Sequence, residues 1–244
     1  MPRFFNRIRK QLAKENKFFQ YSRYAIGEIL LVVIGILIAL QVDAWNEDRK
    51  IDGIRKNYYK QILIDLDNES KNIENRIERL ESSIESFNRY VEFNKTPNLE
   101  LDQIVAALGK VDHSIGYLSF NTNTMETLEA TGDIRLIPTG IRNRLLELKR
   151  LQDEMILVAT GNISAYLNAQ QEGYGLGGVR AAIIQGYQHI LNQRIIENTA
   201  DLILKVEATY ALKNFTEKER LEYLTKMLNK VKALKEKINR ELDK

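Results

Sequence analysis

The 244-residue chain has no cysteine, three prolines, two histidines and one tryptophan. Without cysteine there is no disulfide framework and no thiolate chemistry, and either redox compartment is compatible. His113 and His189 stand 76 residues apart, so the spacing offers no ligand set, and neither a metal centre nor a cofactor is expected. No segment alternates apolar and polar residues with the period of a half-buried strand, which removes β architectures. No serine lies in a nucleophile-elbow motif. Carboxylates are plentiful, as in DLDNESKNIENRIERLESSIES, but they alternate with Lys and Arg and are expected on solvated helix faces. These absences point away from an enzyme.

The net charge is only +3, and its placement says more than its size. Residues 1–24 hold Arg3, Arg7, Arg9, Lys10, Lys14, Lys17 and Arg23 against Glu15 alone. The remainder is slightly acidic, so there is no dispersed basic surface and no nucleic-acid partner is expected. With 44% hydrophobic and 28% charged residues, the chain has enough apolar content for a membrane anchor and one folded domain.

The anchor is YAIGEILLVVIGILIALQVDAW, residues 24–45, within a transmembrane helix expected over 23–45. From Tyr24 to Trp45 a helix rises about 31 Å, the thickness of a hydrocarbon core, with Tyr21, Tyr24 and Trp45 at its interfaces. Residues 1–22 read as a basic amphipathic helix: Phe4, Phe5, Ile8, Leu12 and Phe19 recur at helical spacing while Arg7, Lys10, Lys14 and Lys17 lie largely elsewhere on the wheel. Such a helix rests on a lipid bilayer with anionic headgroups. A cleaved signal peptide is the competing reading, because Val42-Asp43-Ala44 resembles a cleavage site, but the basic region is far longer than the usual one. The excess of Lys and Arg before the span predicts a cytoplasmic amino terminus. No later apolar run returns the chain, so residues 46–244 are expected outside the cytoplasmic membrane.

Glu28 interrupts the apolar run. At 100° per residue, Gly35 and Ala39 fall about 20° to either side of it, and Leu30, Val33 and Leu37 lie opposite. Small residues beside a polar one suit a helix–helix contact in the membrane, with another copy of the chain or a partner anchor. The alternative is that Glu28, about one turn inside Tyr24, reaches the interface and pairs with Arg23 or water.

Beyond Trp45 the pattern is helical, and an all-α fold follows. Ile73, Ile77, Leu80, Ile84, Phe87 and Val91 alternate by four and three, the seam of a coiled coil or long bundle helix that Pro97 ends. A short amphipathic piece is expected over 99–110. Asn123 with Glu126 suggests a cap for a second helix ending near Gly132, and Pro138 opens a third. A fourth is expected from near Gly178 to Leu212, and Thr216 with Glu219 suggests a cap for the last. EGYGLGGVR reads as an interhelical turn; the weaker reading is an anion-binding turn at Gly177, Gly178 and Arg180. An antiparallel bundle of long helices over 46–244 accommodates these elements.

The order of basic arm, YAIGEILLVVIGILIALQVDAWNEDRK, long charged helix and NTNTMETLEATGDIRLIPTGIRNRLLEL resembles an uncharacterised bacterial membrane family common in the Bacteroidota. The resemblance implies an inner-membrane protein with a periplasmic helical domain, and it transfers no activity. Two roles fit: a structural or accessory subunit that holds a copy of itself or a partner, and a ligand-sensing domain resembling the four-helix domains of chemoreceptors. The second would need a separate signalling subunit, since neither a second span nor an output module is seen.

Overall fold

The computed structural model describes residues 18–177, 193 and 197–243, apart from the side chains of 18–21 and 174–177. Among these residues the fold is all-α: α1 (Phe18–Phe93), α2 (Leu101–Leu108), α3 (Asn123–Thr131), α4 (Thr139–Gly177) and α5 (Thr199–Leu242), with a 3-10 turn at Asp133–Leu136. The chain divides into two compact units, Met1–Asn57 and Tyr58–Lys244. The expected basic helix and its residues Arg7, Lys10, Lys14 and Lys17 lie outside the described residues, as do Gly178, Arg180, His189 and the start of the expected fourth helix.

In the first unit, the apolar part of α1 has an 18-residue window of mean hydropathy 2.6, none of it buried. It is long and apolar enough to cross a membrane, a composition shared by membrane anchors and signal sequences.

The second unit is a helical bundle. Its main core joins Ile62, Leu66, Ile73 and Leu80 of α1 to Leu128 of α3, Ile141 and Leu148 of α4, and Leu224, Val231 and Ile238 of α5. Helices α4 and α5 run in opposite directions, with Glu147 facing Lys230 and Glu172 facing Lys205. Helices α1 and α5 are also opposed, since Glu74 meets Lys232 and Tyr90 meets Glu207. A smaller cluster, Tyr90, Leu108 and Val111, seats α2 on the far end of α1.

Several local expectations are corrected. Thr216 and Glu219 do not open a helix: α5 is unbroken from Thr199 to Leu242, and the Thr216 hydroxyl donates to the Lys213 carbonyl. No Gly or Pro lies between Leu212 and Thr216 to stop it, and the inward register continues through Lys213, Asn214 and Glu217. The glycine-rich stretch is still helical as far as Gly177. At Gly173 the helix passes close to α5, because an added Cβ would stand 3.9 Å from Val206. The cap of α3 is Thr122, one residue before Asn123, and it makes no side-chain cap bond. Gly132 ends that helix as expected, in the left-handed conformation (φ 76°) that a side chain would strain.

The seam of α1 also turns. Ile73, Leu80 and Ile84 are buried, but Val91 is exposed while Ser83 and Tyr90 are buried. The buried face shifts around the helix because its partners change from the main core to the α2 cluster.

Candidate functional site

The sequence-predicted membrane residues lie on α1. Tyr24, Glu28, Gly35, Ala39 and Trp45 are all exposed, and Tyr21 is helical. A Cβ built at Gly35 would meet nothing within 4 Å, so among the described residues nothing packs against that position. The Trp45 ring receives the Arg49 guanidinium 5.9 Å from its centroid, a cation–π contact of the kind common where an aromatic sits at a polar boundary. Gly177 closes α4.

Polar chemistry gathers instead around residues 112–122, which form no regular secondary structure. Backbone groups in such a segment need partners wherever neighbours exclude water. Three long helices supply them. Ser86 of α1 accepts from the Asp112 amide at 3.0 Å, and Lys213 of α5 donates to the Asp112 carbonyl at 3.0 Å. Tyr166 of α4 donates to the His113 carbonyl at 3.2 Å, and Arg220 of α5 donates to the Gly116 carbonyl at 3.2 Å. Arg76 of α1 donates to the Ser119 hydroxyl at 3.3 Å while its guanidinium covers the Phe120 ring at 5.5 Å. Two carboxylates of α1 finish the clamp. Glu69 accepts from the Asn121 amide at 2.8 Å; Asp65 accepts from the Asn121 side chain and from the Thr124 amide, both at 3.0 Å.

Asp65 therefore caps α3 from another helix, satisfying an amide that the first turn leaves without an intrahelical acceptor. Thr122 turns its hydroxyl to Glu126, 2.6 Å away, which is why the local capping residues are not used as the sequence suggests.

The reading of DLDNES as solvated surface is likewise corrected: Glu69 is 1% exposed. Its Oε1 has no hydrogen-bond partner. Burial raises its carboxyl above the usual range, against the opposing effects of the Asn121 amide and the Arg76 charge. The folded state thus holds the Glu69 proton more tightly than the unfolded chain does. Its contribution to stability improves as pH falls through the raised value, and its cost is complete above it. Glu69→Gln, which keeps an acceptor for Asn121, is expected to be more stable than the parent by about 1 kcal/mol at pH 8. That advantage should narrow as pH falls toward the ordinary glutamate range. Paired denaturant titrations at several pH values check this, and a gap that widens toward acid would contradict it.

A second buried cluster ties the connector to α5. Lys213 Nζ lies 2.8 Å from Glu217 and 2.7 Å from the Ser83 hydroxyl, which itself donates to Glu217 at 2.9 Å. All three residues are buried. Lys213 Nζ is thus held between a carboxylate and a hydroxyl, so the cluster reads as a buried structural bridge between α1 and α5. Among the described residues, no group of three or more His, Asp or Glu side chains is placed to hold a metal.

The fold and these sites define an all-α bundle whose amino-terminal helix is suited to cross a membrane. In comparisons with protein-family models, curated proteins and solved structures, no match to the chain is found.

Proposed function

We propose that the chain is a membrane-anchored structural or accessory subunit of the bacterial envelope, self-associating or part of a larger complex, with no catalytic role of its own. The observation that carries this reading is the apolar segment of α1, long enough to span a bilayer and wholly unburied. Such a surface is compatible with water only if lipid or protein covers it. The cytoplasmic amino terminus and periplasmic bundle rest on the basic residues ahead of the span. The resemblance to the Bacteroidota membrane family agrees with this placement. The 112–122 clamp supports a rigid presenting domain, since a connector held to three helices at Asp112, His113, Gly116, Ser119 and Asn121 has little freedom for a signalling motion.

A reporter active only in the cytoplasm should work when fused at Met1 and fail when fused after Lys244. The reverse pattern would sink the assignment. Within the membrane, Glu28, Gly35 and Ala39 are assigned to the contact with another copy or a partner anchor. Single cysteines at 28, 35 and 39 should form disulfides in native membranes, or capture a partner, while cysteines at 30, 33 and 37 should not. Efficient crosslinking from the second set, or from neither, would place Glu28 at the lipid interface instead.

A further inference from the structure

Around the middle of α5 the usual polarity is inverted. Thr209, Lys213, Asn214 and Glu217 are buried, whereas Leu212 and Phe215 face outward, Phe215 with 61% of its surface exposed. On α4, Leu157 and Val158 are exposed to 74% and 49%. A groove between the two helices runs beside these positions: Met155, Val158 and Ala159 line it from α4 and Tyr223 from α5, with Glu154 and Glu219 at its edges. Apolar surface gathered outside a core marks a contact with another molecule. Gly161 lies one turn beyond Leu157 on the same side of α4. An added Cβ there would meet nothing within 4 Å, so no described residue requires a glycine, although glycine weakens a helix interior.

The ion pairs Glu147–Lys230 and Glu172–Lys205 fix the register of the two helices. Counting equally along each helix from either pair, Glu154 stands level with Tyr223, Val158 with Glu219, and Gly161 with Thr216, the neighbour of Phe215. Glu154 makes no ion pair among the described residues. Lys226, one turn from Tyr223, holds its own Glu222 only loosely, at 3.9 Å. Arg220, which also borders the groove, is directed to the Gly116 carbonyl.

We propose that the α4–α5 face is where two copies of this chain meet, an inference that rests on the membrane-anchored reading above. Copies held in one membrane by the same anchor and related by a two-fold axis have that axis along the membrane normal. Like residues then stand at equal height, and α4 of each copy faces α5 of the other. Phe215 meets the open position at the partner's Gly161, large against small. Glu154 meets the partner's Tyr223, with the partner's Lys226 about 4.5 Å further along the helix. Glu219, level with the partner's Val158, keeps its carboxylate at the rim. A second copy is the occupant because the register alone sets aromatic against glycine and acid against base, so the face complements itself in shape and charge.

The test is disulfide trapping in native membranes. Two differently tagged full chains are produced together, one with Phe215→Cys and the other with Gly161→Cys, and mildly oxidised; the chain has no cysteine of its own. The 215–161 product should form well above the level of a control pair that both carry Glu78→Cys, on the exposed face of α1. Adding Glu154→Lys to both chains should lower the yield by roughly two- to fivefold, and adding Lys226→Glu as well should restore it. A carbonate wash of the same membranes reads the anchor separately. Chains that stay in the membrane but give no more 215–161 product than the control overturn this face and leave the anchor standing. Chains that wash out take down the anchored reading and the equal-height match with it. Products joining like positions, 215–215 or 161–161, in equal yield would overturn the pairing, and capture of a different protein in place of the second copy would assign the face to that protein.

Discussion

Replacing Lys213 with methionine is expected to destabilise the folded bundle by about 3–5 kcal/mol, because it leaves Glu217 as a buried carboxylate without its cation. The same change removes the donor to the Asp112 carbonyl, 3.0 Å away, and so loosens one end of the clamped connector. A double variant, Lys213→Met with Glu217→Leu, removes both charges and should recover much of the loss, since a buried ion pair is often matched by apolar residues of similar volume. Denaturant unfolding of the full chain in detergent, followed by its helical signal, measures all three proteins. A Lys213→Met variant as stable as the parent would mean that water reaches Glu217.

Asp65→Ala is expected to cost about 2–3 kcal/mol, because two donors, the Asn121 side chain and the Thr124 amide, lose their shared acceptor. Asp65 sits four residues before Glu69 on α1, so the effect should spread to the neighbouring Asn121 amide. Amide exchange at Asn121 and Thr124 should accelerate, while the interior of α5 keeps its protection. Glu78→Lys, on the exposed face of α1, serves as the control and should change neither quantity. Unchanged exchange at Thr124 would show that α3 is held by its apolar contacts alone.

Both predictions concern polar residues that look unremarkable in the sequence. Asp65 stands between Ile64 and Leu66 in a stretch whose carboxylates read as solvated helix surface, and Lys213 stands between Leu212 and Asn214, where the sequence suggests a break between two helices. A signal was available in α5: Thr209, Lys213, Asn214 and Glu217 share one helical face, and the exposed Leu204, Leu212 and Phe215 lie away from it. That inversion, polar inside and apolar outside, is a local departure from the usual pattern, and such departures mark places where tertiary partners set the choice. Its meaning depends on the partner, here a non-helical segment whose backbone needs donors and acceptors.

By itself the sequence determined what depends on neighbours along the chain. Apolar periodicity sets the helical class, the hydropathic run sets a helix fit for a membrane, Gly132 ends α3 and Pro138 precedes α4 because each constrains its own backbone. The tertiary structure decided what depends on neighbours in space. Thr216 and Glu219 carry the pattern of a cap but lie inside a helix, since the core they pack beside extends past them. Val91 fits the repeat of α1 but points to solvent, because α2 packs on the Tyr90 side. Asp65 and Glu69 become caps and clamps only when residues 112–124 are laid across α1. The physical reason is range: backbone constraints act within a few residues, whereas burying a charge or satisfying an amide depends on groups some 50 to 130 residues away in the chain.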